Sequence, residues 1–332
     1  MSGFTHQAVL ADGPRRFEGE SRPTPGPIAV LPVTEKPQPE REVVESAGGT
    51  LAPLGPETRG IVYTSYRDVD SLIEALEQYP EIRWVQLPFA GIDVYAKRLA
   101  PHAERGVVFT SGKGAFAQPV AEHALMLTLA AQRQLPVRLR ATGWHRGGGR
   151  SLFGANVVIV GAGGIALALL NLLQPFGVTT TVVRRREGAV AGADRTVTTD
   201  KFAEVLADAD VVVLAAAATD DTRHLIDADR LAAMKSTAVL VNIARGPLVD
   251  TDALVAALDA GEIYGAGLDV TDPEPLPDGH PLWTNDRCII TPHTADTPEM
   301  TRPLMAVRVA SNVRGFLDTG EFVGVADPRV GY

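Results

Sequence analysis

Val157-Val158-Ile159-Val160-Gly161-Ala162-Gly163-Gly164-Ile165-Ala166 reads as strand, tight turn and helix start in one stretch. Four consecutive β-branched residues predict a short buried strand. The small and aliphatic run that continues to Leu173 predicts a packed helix. Gly161 lets the chain turn, Gly163 lets a pyrophosphate lie against bare backbone, and Ala166 lets helix and strand pack closely. Free N–H groups and the positive end of the helix then face the phosphates, which makes Gly161, Gly163, Gly164 and Ile165 candidate cofactor-binding residues. The third glycine of the dinucleotide fingerprint is alanine here, a variant that the motif admits. Pro175-Phe176-Gly177 end the helix and Val178 to Val183 supply a second strand, completing a βαβ unit. A plain structural turn is the alternative, and the βαβ context argues against it.

The end of the second strand bears on which dinucleotide is bound. An acid at that position holds the ribose 2′-hydroxyl of NAD, but this chain has Arg184-Arg185-Arg186. A guanidinium pairs with a 2′-phosphate, whereas a carboxylate repels it. Arg184 and Arg185 are therefore candidate cofactor contacts, and NADP(H) is the expected cofactor with NAD(H) as the second choice. The competing reading is a solvated basic loop.

The chain has 332 residues, 45% of them hydrophobic, which is enough for two moderate cores. A net charge of −9 and a pI near 5.3 argue against a nucleic-acid or anionic-membrane partner. No apolar run is long enough to span a bilayer, and Met1-Ser2-Gly3-Phe4-Thr5-His6 lacks the pattern of a secretion signal. Cys288 is the only cysteine, so an internal disulfide is ruled out, and its apolar setting predicts a core residue. A cytoplasmic protein is expected.

Residues 1–27 carry no apolar period and read as a flexible extension. From Ile28 to about residue 110, strands at Ile28–Val33, Gly60–Thr64, Arg83–Leu87 and Gly106–Thr110 alternate with helical segments, predicting a small, mostly parallel α/β domain. Asp70-Ser71 is read as the cap of one of these helices. Val120 to Leu129 form a helix that is apolar around much of its surface, so it is either deeply buried or part of a subunit interface. Further strands at Val211–Leu214, Ala238–Asn242 and Gly265–Asp269 alternate with helices starting at Asp200, Asp229 and Thr251. After Pro298 a helix from Leu304 to Leu317 is expected to return to the first domain. The expected division is 28–118 with 298–332 for substrate binding and 119–297 for the dinucleotide.

Three strand exits in the second domain each deliver a polar group to the edge of the sheet where ligands bind in open α/β folds. Arg245 follows Asn242, Asp269 and Glu274 follow the Gly265 strand, and His293 follows Cys288–Thr291. Each alone is more often structural; three at successive exits beside a dinucleotide fold form a constellation.

Asn242-Ile243-Ala244-Arg245-Gly246-Pro247-Leu248-Val249-Asp250 resembles the Arg motif of the D-isomer-specific 2-hydroxyacid dehydrogenases. Gly267-Leu268-Asp269-Val270-Thr271-Asp272-Pro273-Glu274-Pro275 resembles their acidic motif, and Ile290-Thr291-Pro292-His293-Thr294-Ala295 their His motif. The resemblance covers residues 85–315 strongly and residues 1–27 not at all. It implies a doubly wound Rossmann-type domain inserted in a smaller flavodoxin-like substrate domain, with the active site between the two. It also implies that Arg245 holds a small 2-oxo or 2-hydroxy acid, that His293 is the acid/base and that Glu274 pairs with it. Asp269 is then expected near the nicotinamide, and backbone N–H groups of Phe89, Ala90 and Gly91 at the substrate carboxylate. No metal is expected.

The chain departs from the family pattern in three places. Phe89 stands where many relatives have a small residue, Ala215 to Ala218 replace the usual apolar-proline stretch, and Asp296 adds a charge near His293. Glu274 disfavours the formate-oxidising branch, which has Gln there, and no regulatory domain is expected after the last helix. The reading is an NADP(H)-preferring 2-oxoacid reductase, with the Val120 helix and the Trp144 segment docking a second copy as a homodimer. The rival is a non-catalytic dinucleotide sensor of the same fold that recruits a partner.

Overall fold

The computed structural model describes residues 7–11, 13–35, 37–144 and 147–331; Met1–His6 and His145-Arg146, both quoted in the sequence reading, lie outside the described residues. The chain divides into two compact units, residues 1–116 with 298–332, and residues 117–297.

In the second unit, β-branched runs with polar breaks fold into one all-parallel sheet of seven strands. Across the sheet the strands run Cys288–Ile290, Gly265–Leu268, Val239–Asn242, Val211–Leu214, Asn156–Val160, Thr179–Arg184 and Arg195–Thr198. The strand order reverses beside Asn156–Val160, and a cleft for a ligand opens at such a switch point. Strands buried on both faces read as unbroken apolar runs, and Val211–Leu214 and Val239–Asn242 are buried throughout. Arg195–Thr198 is the one strand of this sheet that the sequence hides. It is an edge strand of polar and β-branched residues, without the apolar run that marks its neighbours.

The helix Ala117–Gln132 packs on Gly164–Leu173 and on the strands beyond it. A Cβ on Gly267 would lie 2.9 Å from the Leu127 Cβ, so that glycine lets helix and sheet approach closely. Ala121, Ala124, Leu127 and Ala131 are buried, and Met126 on the opposite side is exposed. The helix read from Asp200 begins as a 3-10 turn, Thr199–Lys201, and becomes α-helical over Phe202–Leu206. The one read from Asp229 spans Ala228–Ala233, where Asp227 caps it by accepting from the Arg230 amide. Thr251–Ala260 starts where expected, capped by Asp250.

The first unit is built on four parallel strands in sequential order, Ile28–Leu31, Gly60–Tyr63, Trp84–Gln86 and Val108–Thr110, with Val325–Ala326 added antiparallel. Leu51 pairs with the free edge of Ile28 as an isolated parallel bridge. Counting that bridge as a reduced second strand gives the flavodoxin-like order. A core of Ile61, Leu72, Leu76, Val85, Leu99 and Phe109 lies on one face.

Two local readings are corrected. Asp70 and Ser71 do not cap their helix, whose N-cap position is Val69; the Ser71 hydroxyl pairs with the Tyr63 phenol at 2.9 Å instead. The C-terminal helix starts earlier than expected, at Pro298, whose ring suits a first helical turn, and it ends at Arg314 before a π turn, Gly315–Thr319.

The described part of residues 1–27, read as an extension without structure, makes specific contacts. Arg15–Arg16 pair antiparallel with Glu321–Phe322, Phe17 packs edge-on to Phe322, and Arg22 donates to the Asp318 carbonyl at 2.9 Å. Composition hides this because the partners lie at the other end of the chain.

Candidate active site

The glycine turn has the form that a dinucleotide needs. Gly161 has φ +111°, and a Cβ there would lie 2.5 Å from the Ala215 carbonyl of the neighbouring strand exit. Gly163 is the N-cap of the Gly164–Leu173 helix, without a side-chain cap, and a Cβ on it would meet nothing within 4 Å. The first-turn amides, at Gly164 and Ile165, thus have no side-chain cap at the positive end of a helix. That arrangement fits a pyrophosphate. The Gly161 amide donates to the Val183 carbonyl at 2.8 Å, which sets half-buried Arg184 beside the turn, with Arg185 exposed after it.

Arg245 is placed by a buried side chain. Asn242 donates to the Arg245 carbonyl at 2.8 Å and accepts from the Ala244 amide at 3.1 Å, so one amide group shapes the loop at the strand exit. Gly246 follows against Thr271, where a Cβ would lie 1.8 Å from the carbonyl oxygen. Thr251 donates to the Asp272 carbonyl at 2.6 Å and Thr271 to that of Pro273 at 2.9 Å, fastening the segment that presents Glu274.

His293 has φ +52°, the left-handed region that side chains other than glycine rarely adopt. Its Nδ1 lies 2.5 Å from Glu274 Oε1. A carboxylate can only accept, so Nδ1 carries the hydrogen of this contact and Nε2 is the nitrogen turned away from Glu274. The hydrogen bond to Glu274 is the main cause that raises the His293 pKa, outweighing burial, and the Glu274 carboxyl is lowered chiefly by the same bond. Arg245 bears on both electrostatically, lowering Glu274 and opposing the rise at His293, so the three groups share one electrostatic environment within their unit.

Asp269 is 2% exposed and accepts from the Thr294 amide at 2.9 Å and the Ala295 amide at 3.1 Å. Burial would push its carboxyl up, but hydrogen bonds from His123, Thr291 and the Thr294 amide outweigh that and hold it low. Asp296 goes the other way, raised by burial with a smaller contribution from Asp269.

Phe89, Ala90 and Gly91 lie in the first unit, after the Trp84–Gln86 strand. The Phe89 carbonyl accepts from the Gly112 amide at 2.8 Å and the Ala90 carbonyl from Ser111 Oγ at 3.3 Å. Buried Arg308 of the C-terminal helix donates to the Ser111 carbonyl at 2.5 Å, tying that helix to the same loop. The Phe89 ring packs against Tyr95, 5.2 Å between centroids. Among the described residues no cluster of His, Cys, Asp and Glu is arranged to hold a metal ion. Cys288 is buried and its thiol is pushed up to about 12, as a core residue would be. His123 was legible only as part of an apolar helix; the signal was an imidazole among alanines and leucines.

Residues 123–295 match the NAD binding domain of the D-isomer specific 2-hydroxyacid dehydrogenases. The chain is 42% identical over 262 residues to a protein from the proB 3′ region of Corynebacterium melassecola, covering 76% of this chain and 84% of that one. A glyoxylate reductase of Pyrococcus furiosus is 33% identical over 271 residues, covering 75% of this chain and 80% of its own. Among solved structures, a D-isomer specific 2-hydroxyacid dehydrogenase from Xanthobacter autotrophicus Py2, in complex with NADPH and MES, superposes with a TM-score of 0.77. It is 27% identical, over 92% of this chain and 99% of that one.

Fold and site together define a nicotinamide-dependent oxidoreductase of the Rossmann class. The chain belongs to the D-isomer specific 2-hydroxyacid dehydrogenase family. Its activity is that of an NAD(P)-dependent 2-hydroxyacid dehydrogenase.

Proposed function

We propose that the protein is an NADPH-preferring reductase of small 2-oxo acids, glyoxylate and hydroxypyruvate first among them, working as a cytoplasmic homodimer. The observation that carries the chemistry is the 2.5 Å contact of His293 Nδ1 with Glu274. The imidazolium gives its Nε2 proton to the carbonyl oxygen during reduction and recovers one from solvent; in the reverse direction the neutral ring takes the proton. Arg245 holds the carboxylate and polarises the carbonyl with a permanently charged planar fork. The backbone N–H groups of Phe89, Ala90 and Gly91 offer a carboxylate cradle in their own unit. The amides at Gly163, Gly164 and Ile165, with Gly161 turning the chain beneath them, and the Arg184 and Arg185 guanidinium groups hold the cofactor, and Asp269 lies at the nicotinamide end. When bound, the cofactor supplies the hydride that the protein itself lacks.

The NADPH-bound neighbour and the arginine run where NAD-binding chains carry an acid support this cofactor preference. A panel of glyoxylate, hydroxypyruvate and longer 2-oxo acids, assayed with NADPH and with NADH, tests the whole reading. Turnover of the short acids with NADPH is expected. Binding of NADPH without its oxidation across the panel would favour a non-catalytic sensor. Arg184→Asp is expected to weaken NADPH by about 1–3 kcal/mol more than NADH, the size of a lost charge-assisted contact. Equal losses would reduce the arginine run to a solvated loop.

A further inference from the structure

A second imidazole reaches the site from a helix that supplies none of the residues assigned above. His123 projects from Ala117–Gln132, and its Nε2 lies 2.8 Å from Thr291 Oγ1 and 3.4 Å from Asp269 Oδ1. Thr291 Oγ1 in turn lies 2.6 Å from the same Asp269 oxygen. These distances fix the order of the hydrogens. The hydroxyl has one hydrogen, and a carboxylate oxygen can only accept it, so Thr291 donates to Asp269. Its lone pair then accepts from His123, which must carry its hydrogen on Nε2.

We propose that His123 is a positioning residue: through Thr291 it fixes the Asp269 carboxylate as the anchor of the loop that presents His293. This rests on the proposed role of His293 as proton donor. Three successive amides of that loop bond to Asp269, the first of them shared with the Thr291 carbonyl at 2.9 Å. His293 N donates to its main-chain carbonyl at 2.8 Å, Thr294 N to Oδ1 at 2.9 Å and Ala295 N to Oδ2 at 3.1 Å. The start of this arrangement is under strain, because His293 sits at φ +52° and such backbone persists only where its surroundings over-determine it. An anchor that rotates about its χ angles would release Oδ1 and Oδ2 from the two amides. Thr291 donating to Oδ1, itself held by the hydrogen of His123, leaves the carboxylate a single orientation.

A packing role alone does not account for the residue. The surrounding helix positions Ala121, Ala124 and Leu127 are buried and apolar, and an imidazole set among them costs desolvation unless its N–H is used. Here the N–H is used, on the one hydroxyl that touches Asp269.

The test compares His123→Phe with His123→Gln in the full-length protein, using glyoxylate and NADPH, together with nitrogen-15 spectra of the histidines. His123→Phe is expected to lower kcat by about 10- to 100-fold, the loss that follows from misplacing a catalytic group by about an ångström, and to change NADPH Kd by far less than kcat. His123→Gln keeps an N–H at nearly the same reach and is expected to recover most of that loss. In the wild type, His123 is expected to show hydrogen on Nε2, and Thr291→Val to move that signal. Wild-type kcat in His123→Phe, equal losses in the two variants, or hydrogen on Nδ1 alone would each overturn the inference. A wild type that turns over no 2-oxo acid overturns the proposed function instead, and the nitrogen spectra distinguish that failure from a wrong hydrogen-bond order.

Discussion

His293 and Glu274 stand half in solvent, with side chains 50% and 41% exposed, so water and salt screen their attraction and little stability rests on it. Its effect belongs to the chemistry. Glu274 raises the imidazole pKa, so the proton-donating form persists to higher pH than in a free histidine. Reduction is therefore expected to fall as pH rises through that raised pKa, and Glu274→Gln to move the fall to lower pH. The rising limb of the reverse oxidation should move the same way. The linkage has a matching sign. The His293 contribution to stability is whole below its unfolded value of 6.5 and is lost as pH climbs through the folded one. That of Glu274 is whole above 4.5 and is lost as pH drops through its lowered folded pKa. The pair thus stabilises most between about pH 4.5 and 6.5. Rate profiles of the two proteins check the prediction, and an unshifted profile in the mutant would remove Glu274 from this role. At this scale the sequence was informative because Arg245, Glu274 and His293 carry their chemistry in their identity. The His293 φ and the hold of Asp269 on three amides were not legible, because they arise only when distant strand exits meet.

Strand exits do the positioning, and glycines decide how closely they approach. Gly246 shows the constraint most directly, since a Cβ would lie 1.8 Å from the Thr271 carbonyl, a backbone atom without a flexible side chain to move aside. Gly246→Ala must push apart the loop that carries Arg245 and the segment that carries Glu274. The expected cost is about 1–3 kcal/mol of stability, the usual scale of overpacking, together with a raised KM for the 2-oxo acid as Arg245 moves. Denaturant unfolding and steady-state kinetics measure both, and wild-type values for the two would show that the segments give way without cost. The apolar runs made the inner strands legible, since Val211–Leu214 and Val239–Asn242 are buried on both faces. Arg195–Thr198 escaped because an edge strand needs no such run, and Arg15–Arg16 because two arginines pair by backbone alone. Ser71 escaped for another reason: a hydroxyl that suits an N-cap in sequence is taken in the fold by Tyr63.

At the scale of the molecule, the 117–297 unit leaves a surface that its own core does not cover. The short helix Leu135–Arg140 has no buried residue; Leu139 is 76% exposed and Val137 43%, and Trp144 just beyond is fully exposed at 101%. Leu135 and Leu139 line a shallow groove with Leu282, Trp283 and Ile289. Single exposed apolar side chains are ordinary, but several on one short helix beside an apolar groove mark a contact surface. The occupant we propose is a second copy of the chain, because closed two-fold pairs are the commonest assembly and use the same patch on both partners. A stable pair needs on the order of 800 Å² from each subunit, so a charge at the centre of the patch should weaken it steeply. Leu139→Glu is expected to convert a dimer in sedimentation velocity into a monomer. Because Leu139 lies outside the catalytic and cofactor-binding sets, cofactor binding by the isolated chain should persist. A wild type that sediments as a monomer at micromolar concentration would leave this surface to another partner. An unaltered dimer in Leu139→Glu would place the contact elsewhere on the chain.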